Sequence, residues 1–394
     1  MTRILKIIFT LPCILLAAGA LMATDDKPSV QVEWYGDLRL DASRDQNPTN
    51  NGNYVMYVSP LAPGGDHPQM NITANQSRFG MKLTGSGYGN TTLTGNLEFD
   101  LYASLTGVKV PENKGMFQLR HAFITIAHGK FKFLAGQTWD LLAPLIPQTL
   151  NYPVLGGAGN IGHRHPQLDL FYIAKPVEKT EITFGIGAFR TLGCDLTPNL
   201  PLAEGETADK IDDGVNSGLP SVQGICEYKR EFASGSTIRF GASGLWGRLK
   251  AGTSLGQEQN YETWAAAGHF TFVTASDYGI MLETFTGSNL NAYYGGVVNS
   301  DSINGLKAYG GWVQVWGRVH PKWKLSAGYG LDNPDDDLVA LKDRSKNQVV
   351  FGNVIYTLIP KVTLGLELSE WQTNYKGLPT ANDFRIQTTT SLKF

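Results

Sequence analysis

Beyond residue 23, apolar and polar positions alternate with a period of two along almost the whole chain, and no useful stretch carries a helical period. Val30, Val32, Trp34, Leu38 and Leu40 interleave with Gln31, Glu33, Tyr35, Asp37 and Arg39. Phe79, Met81 and Leu83 do so with Arg78 and Lys82, and Leu93, Leu97, Phe99 and Leu101 with Thr94, Asn96, Glu98 and Asp100. Val362, Leu364, Leu366 and Leu368 repeat the pattern, as do Phe384, Ile386, Leu392 and Phe394 at the chain end. A soluble sandwich alternates too, so the connections have to discriminate. Long polar stretches near 44–75, 104–115, 138–165, 192–218, 251–257, 288–303, 332–345 and 375–382 take turns with tight ones near 87–90, 127–130, 175–180, 232–236, 274–277, 320–323 and 360–361. The segments between them predict sixteen strands with short turns at one end and long loops at the other. That is the pattern of an all-β, transmembrane antiparallel barrel.

The physics of a bilayer agrees. Hydrocarbon offers no partner to backbone N–H and C=O groups, so a sheet that spans it has to close. A tilted strand crosses in about 9–11 residues, which most of these segments supply. The polar face then lines a wet lumen. By this parity Arg39, Arg78, Lys82, Arg120, Arg318 and Arg385 point inward, together with Glu33, Asp37, Glu98, Asp100, Glu367 and Asp383. His269 shares the inward parity, and Trp312 and Trp316 share that of Gln314 and Arg318. Trp34, Tyr228, Trp246 and Tyr356 fall outward toward strand ends, where one ring edge can sit in lipid and the other in water.

Charge and composition narrow the class further. With 33 Lys+Arg against 35 Asp+Glu the net charge is −2, which excludes a basic nucleic-acid binder. A mean hydropathy of −0.16 argues against helical spans only, since a barrel averages its two faces. Residues 1–23 read as a secretory signal: Arg3 and Lys6, an apolar run over 7–18, then small residues before a cleavage site after Ala23. Residues 24–394 are then the barrel. Two cysteines remain in it, Cys194 and Cys226, whose pairing is open in an oxidising compartment. Gly157, Gly159 and Gly162 fit a dinucleotide-binding pattern but lack the following helix, so they read as loop-bending glycines. His163, His165 and Asp169 lack a fourth metal ligand at sensible spacing, and no Ser/His/Asp arrangement stands out. No cofactor, metal or catalytic residue is expected.

Several segments resemble the Gram-negative outer-membrane porins. Asn75-Gln76-Ser77-Arg78-Phe79-Gly80-Met81-Lys82-Leu83 is similar to their second strand, Gly95-Asn96-Leu97-Glu98-Phe99-Asp100 to their third, and Leu119-Arg120-His121-Ala122-Phe123 to their fourth. The stretch from Phe131 to Trp139, leading into Asn160–Gln167, resembles the DcaP-like branch. That branch commonly carries an N-terminal coiled coil, whereas here only residues 24–29 separate the signal from the first strand. The resemblance implies a homotrimer of pores, each narrowed by an inward-folded third outer loop at 138–165. It implies a basic ladder facing a loop acid, Asp140, with Arg164 nearby, and a terminal Phe394 read by the outer-membrane assembly machinery. The expectation is a channel in the bacterial outer membrane, embedded in a lipid bilayer, for passive diffusion of small hydrophilic solutes, with a mild preference for anionic ones. A barrel-type hydrolase and a non-conducting adhesin or structural barrel are the alternatives.

Overall fold

The computed structural model describes residues 30–60, 67–87, 89–102 and 115–394; the expected signal and most of the 104–115 loop lie outside them. Seventeen strand segments follow one another: β1 (Val30–Asp45), β2 (Gln69–Thr73), β3 (Arg78–Ser86), β4 (Thr91–Asp100), β5 (Gln118–His128), β6 (Phe131–Trp139), β7 (Arg164–Ala174), β8 (Thr180–Phe189) and β9 (Ser221–Glu231). Then come β10 (Thr237–Gly252), β11 (Glu258–Val273), β12 (Tyr278–Ser288), β13 (Lys307–His320), β14 (Trp323–Pro334), β15 (Arg344–Ile359), β16 (Val362–Tyr375) and β17 (Leu378–Lys393). A short helix, α1 (Asp213–Asn216), sits in the loop before β9.

Apart from β2 and β3, each strand pairs antiparallel with the next, and β17 pairs with β1 from Asp37↔Lys393 to Asp45↔Arg385, so the sheet closes. β2 and β3 lie end to end against β1, making one stave of a sixteen-stave barrel. The 44–75 stretch is therefore not all loop. The Ser77 hydroxyl spans the break in that stave, accepting from Arg39 N (3.0 Å) and donating to Arg39 O (3.1 Å). Phe394 completes the seam through backbone hydrogen bonds with Gly36 of 3.2 and 3.1 Å. A Cβ on Gly36 would run into the Phe394 ring, so glycine there makes room for the terminal side chain.

The strand faces divide as a bilayer requires. Leu364, Leu366 and Leu368 are exposed on the outside of β16, while Glu367 between them is 1% exposed within. The same holds for Leu168 and Leu170 around buried Asp169 on β7. Trp34 and Trp246 are exposed outside; Trp312 and Trp316 are buried inside, as their parity predicts. The final outer connection is a correction: β16 and β17 run on to a two-residue turn at 376–377, where Gly377 takes φ 76°. The added ladder carries Lys376 to Asp343 and Lys342, tying the turn to the preceding loop. Cys194 and Cys226 are both free; Cys226 is exposed on the outer face, while Cys194 lies in the loop before β9.

Candidate functional site: the constricted bore

The third outer loop, 140–163, runs inside the barrel and is fastened to its wall one strand at a time. Its backbone N–H groups donate to inward side chains: Leu142 to Gln223 on β9 (3.0 Å), Ala143 to Ser243 on β10 (3.1 Å) and Leu145 to Glu283 on β12 (3.1 Å). Gln148 N donates to Gln314 on β13 (2.7 Å), and Leu150 N to Glu367 on β16 (2.7 Å). The carbonyl of Leu150 accepts from Gln387 on β17 (3.0 Å) and from Arg39 on β1 (2.8 Å). Extended backbone with no strand neighbour needs such partners, and the inward polar residues of the tall wall supply them. The loop then turns back over 157–162, where Gly157, Gly159 and Gly162 take φ of 75°, 110° and 95°. At Gly159 a Cβ would strike the backbone of Gly311 and Leu331, so the return strand lies flat against β13 and β14.

What stays open is a cavity of about 550 Å³ between this loop and the β1–β7 wall. Arg39, Arg78, Arg120 and Arg164 converge on it from β1, β3, β5 and β7. Two are neutralised. Arg39 grips Asp41 through Nε and Nη2 (2.9 and 2.8 Å), and Arg120 binds Glu98 (2.6 Å) and Asp100 (2.8 Å). The other two have no carboxylate partner among the described residues. The Nε of Arg78 is buried and unbonded. Arg164 lies over the Trp139 ring, 4.7 Å from its centre, with Nη2 3.3 Å from His163 Nε2 and Nε unbonded. Burial first, then the Arg164 charge, holds the His163 imidazole well below its ordinary pKa. The neutral ring can accept at Nε2 from Arg164 and from the Tyr294 hydroxyl (3.1 Å), so it steadies the guanidinium without repelling it.

Four expected lining residues thus meet in one place, and four do not. Asp140 faces no bore. It continues the β6–β7 ladder past Trp139↔Arg164, and its carboxylate accepts from His163 N (2.8 Å) and lies 2.8 Å from His165 Nδ1, clasping the loop stem. Lys82 sits outside the cavity, exposed, over the Tyr35 ring at 5.2 Å. Arg385 is 1% exposed and bound to both oxygens of Asp45 (2.8 and 2.9 Å), with Nη2 on the Asn53 carbonyl, so it anchors the first outer loop. Arg318 escapes the parity rule because the β13–β14 register shifts between Gly317 and His320; it pairs with Asp277 in the tight β11–β12 turn at 2.8 Å. Strand periodicity also missed the loop residues that shape the cavity: Tyr54, Ile146, Tyr152 and Tyr294. Tyr152 donates to Asp100 (2.6 Å) and stacks on Tyr102 with centroids 4.0 Å apart.

This architecture has solved counterparts. The structure is similar to the outer membrane channel DcaP of Acinetobacter baumannii, with a TM-score of 0.71 and 20% identity over 93% of this chain and 98% of that one. It is similar to an anion-selective porin from Comamonas acidovorans, with a TM-score of 0.55 and 11% identity over 93% and 100%. It also resembles the trimer form of OmpT, an outer membrane protein of Vibrio cholerae, at a TM-score of 0.54 and 13% identity over 93% and 100%. No protein-family model and no curated protein sequence matches the chain. The fold is that of the outer-membrane porins.

Proposed function

We propose that this chain is a bacterial outer-membrane porin, a water-filled channel for passive diffusion of small hydrophilic anionic solutes, working as a homotrimer in the lipid bilayer. One observation carries the reading: a closed barrel, apolar outside, whose bore is narrowed to a cavity where Arg39, Arg78, Arg120 and Arg164 outnumber the bound acids Asp41, Glu98 and Asp100, and Arg78 and Arg164 have no directly bonded carboxylate among the described residues. Low-dielectric walls focus such charge and raise the local concentration of anions. Diffusion needs no reacting group, and Asp140, Glu283 and Glu367 are engaged in holding the third outer loop. The resemblance of the last strand adds that Phe394 is read by the assembly machinery. The test is the reversal potential of the purified protein in a planar bilayer under a KCl gradient. Chloride preference, with closures in groups of three, is expected. Cation preference overturns the anionic reading, and absence of conductance overturns the channel.

A further inference from the structure

The two sides of the bore are chemically unlike. One is the arginine wall. The other, built by the loops, carries almost no charge: within 138–165 the one carboxylate is Asp140, and it is consumed in the stem clasp. In its place Ile146, 40% exposed, lines the cavity together with Val154 and the rings of Tyr152 and Tyr294. Val154 and Leu155 hold φ of 47° and 66°, a conformation that β-branched and bulky residues adopt at a cost. Hydrogen bonds fix that turn, from Asn160 N to Leu155 O (3.2 Å) and from Asn160 Nδ2 to Val154 O (2.7 Å). The chain thus accepts backbone strain in the turn that carries Val154 to the bore.

We infer that the bore favours organic anions with a flat apolar body, of which an aromatic monocarboxylate is the simplest, over small fully hydrated anions. This rests on the channel reading. A hydrated anion gains from Arg78 and Arg164 but finds on the loop side only the polar side chains of Gln148, Thr149 and Asn160 to replace its water, and nothing from the apolar faces of Ile146, Val154 and Met56 beside them. A ring acid can direct its carboxylate to the guanidinium groups and lay its ring on Ile146 and Tyr152, trading ring hydration for contact. At about 550 Å³ the cavity takes a one-ring acid with some of its water.

The experiment titrates benzoate and acetate against the chloride current of the reconstituted protein. Half-maximal block by benzoate is expected at a concentration roughly tenfold lower than by acetate, the size of effect that burying part of a ring gives. Ile146→Ser is expected to cut that ratio to below about threefold, and Val154→Thr, which preserves shape, to lower it by less. Arg78→Gln weakens block by both acids. Equal block by the two acids with chloride preference intact overturns the inference and leaves the channel standing. A benzoate advantage that survives both loop substitutions overturns it as well. Absence of any current removes the channel reading beneath it.

Discussion

The two halves of the barrel wall both turn polar side chains inward, and differ in which ones and in what those side chains meet. On β9–β17, Gln223, Glu283, Gln314, Glu367 and Gln387 are at most 1% exposed, and each meets a backbone group of the third outer loop. On β1–β7, four arginines surround open space, two of them without an acid. The long strands gather mostly on the anchored half, where β10, β11, β15 and β17 run 16 residues; on the open half β1 matches them, while β3 and β6 run nine. An inward polar side chain is therefore an anchor where loop backbone reaches it, as Arg39 also is through the Leu150 carbonyl, and faces the open cavity where none does.

The comparison breaks most visibly if the anchored half lets go. Glu367 accepts from Thr149 Oγ1 (2.6 Å), Leu150 N (2.7 Å) and Asn353 Nδ2 (3.0 Å). Glu367→Ala leaves those donors unpaired and is expected to cost about 3–5 kcal/mol. Single-channel conductance should rise and become noisy, and the melting temperature in detergent should fall. Unchanged traces would mean the loop holds its place without the wall. On the open half, Arg78→Gln with Arg164→Gln should lower the anion-to-cation permeability ratio by about tenfold in about 0.1 M salt. Near 1 M the Debye length shrinks to about 3 Å, so most of the difference between mutant and parent should disappear. A selectivity change that ignores salt would point to pore geometry instead of charge.

The division between wall and loop also explains what could be read in advance. Lipid demands an unbroken apolar exterior, so outward positions such as Leu364, Leu366 and Leu368 are plain in the period of two. Arg39, Arg78 and Arg120 follow from inward parity on neighbouring strands, and Arg164 from resemblance alone. Parity fails at Arg318, where a bulge resets the register, and it cannot foretell that Arg385 will meet Asp45. Loops have no period. The places of Tyr54, Ile146, Tyr152 and Tyr294 depend on where 140–163 is fastened, and the fasteners lie more than 80 positions away in the chain. The five residues of β2 hide in a polar run for a related reason: a half stave is too short for alternation to declare itself.

A smaller effect is expected outside the bore, where acids also pin loops. Asp213 of α1 accepts from Tyr261 OH (2.5 Å), and Asp301 before β13 accepts from Cys194 N (3.3 Å). Burial pushes these carboxyls up to about 7 and about 6. Their folded-state pKa values lie above those of the unfolded chain. Their contribution to loop packing is therefore fullest below about pH 4 and declines as pH rises through 6–7. Limited proteolysis of the 190–220 loop should accelerate about tenfold, one pKa unit's worth, between acid and mildly alkaline pH. Asp213→Asn, which stays neutral, should flatten the dependence. Cleavage that is equally fast across the range would separate these acids from loop stability.

The least effect belongs to a charge that parity places in the lumen and the bulge moves out of it. The Arg318 guanidinium is 41% exposed and paired with Asp277, which also accepts from Trp316 Nε1 (3.0 Å) and from Lys324 Nζ (3.4 Å). Partial burial would raise the Asp277 carboxyl, but the Trp316 hydrogen bond and the two cations outweigh it and hold the group below the ordinary carboxylate range. Arg318→Ala leaves that acid with two partners and takes away one exposed pair, worth about 0–1 kcal/mol. Reversal potential and melting temperature should both stay within error of the parent. A shift comparable to that of Arg78→Gln would mean that the field at the short-turn rim, and not the cavity under the third loop, sets selectivity. The contrast between the anchored and open halves would then describe packing alone.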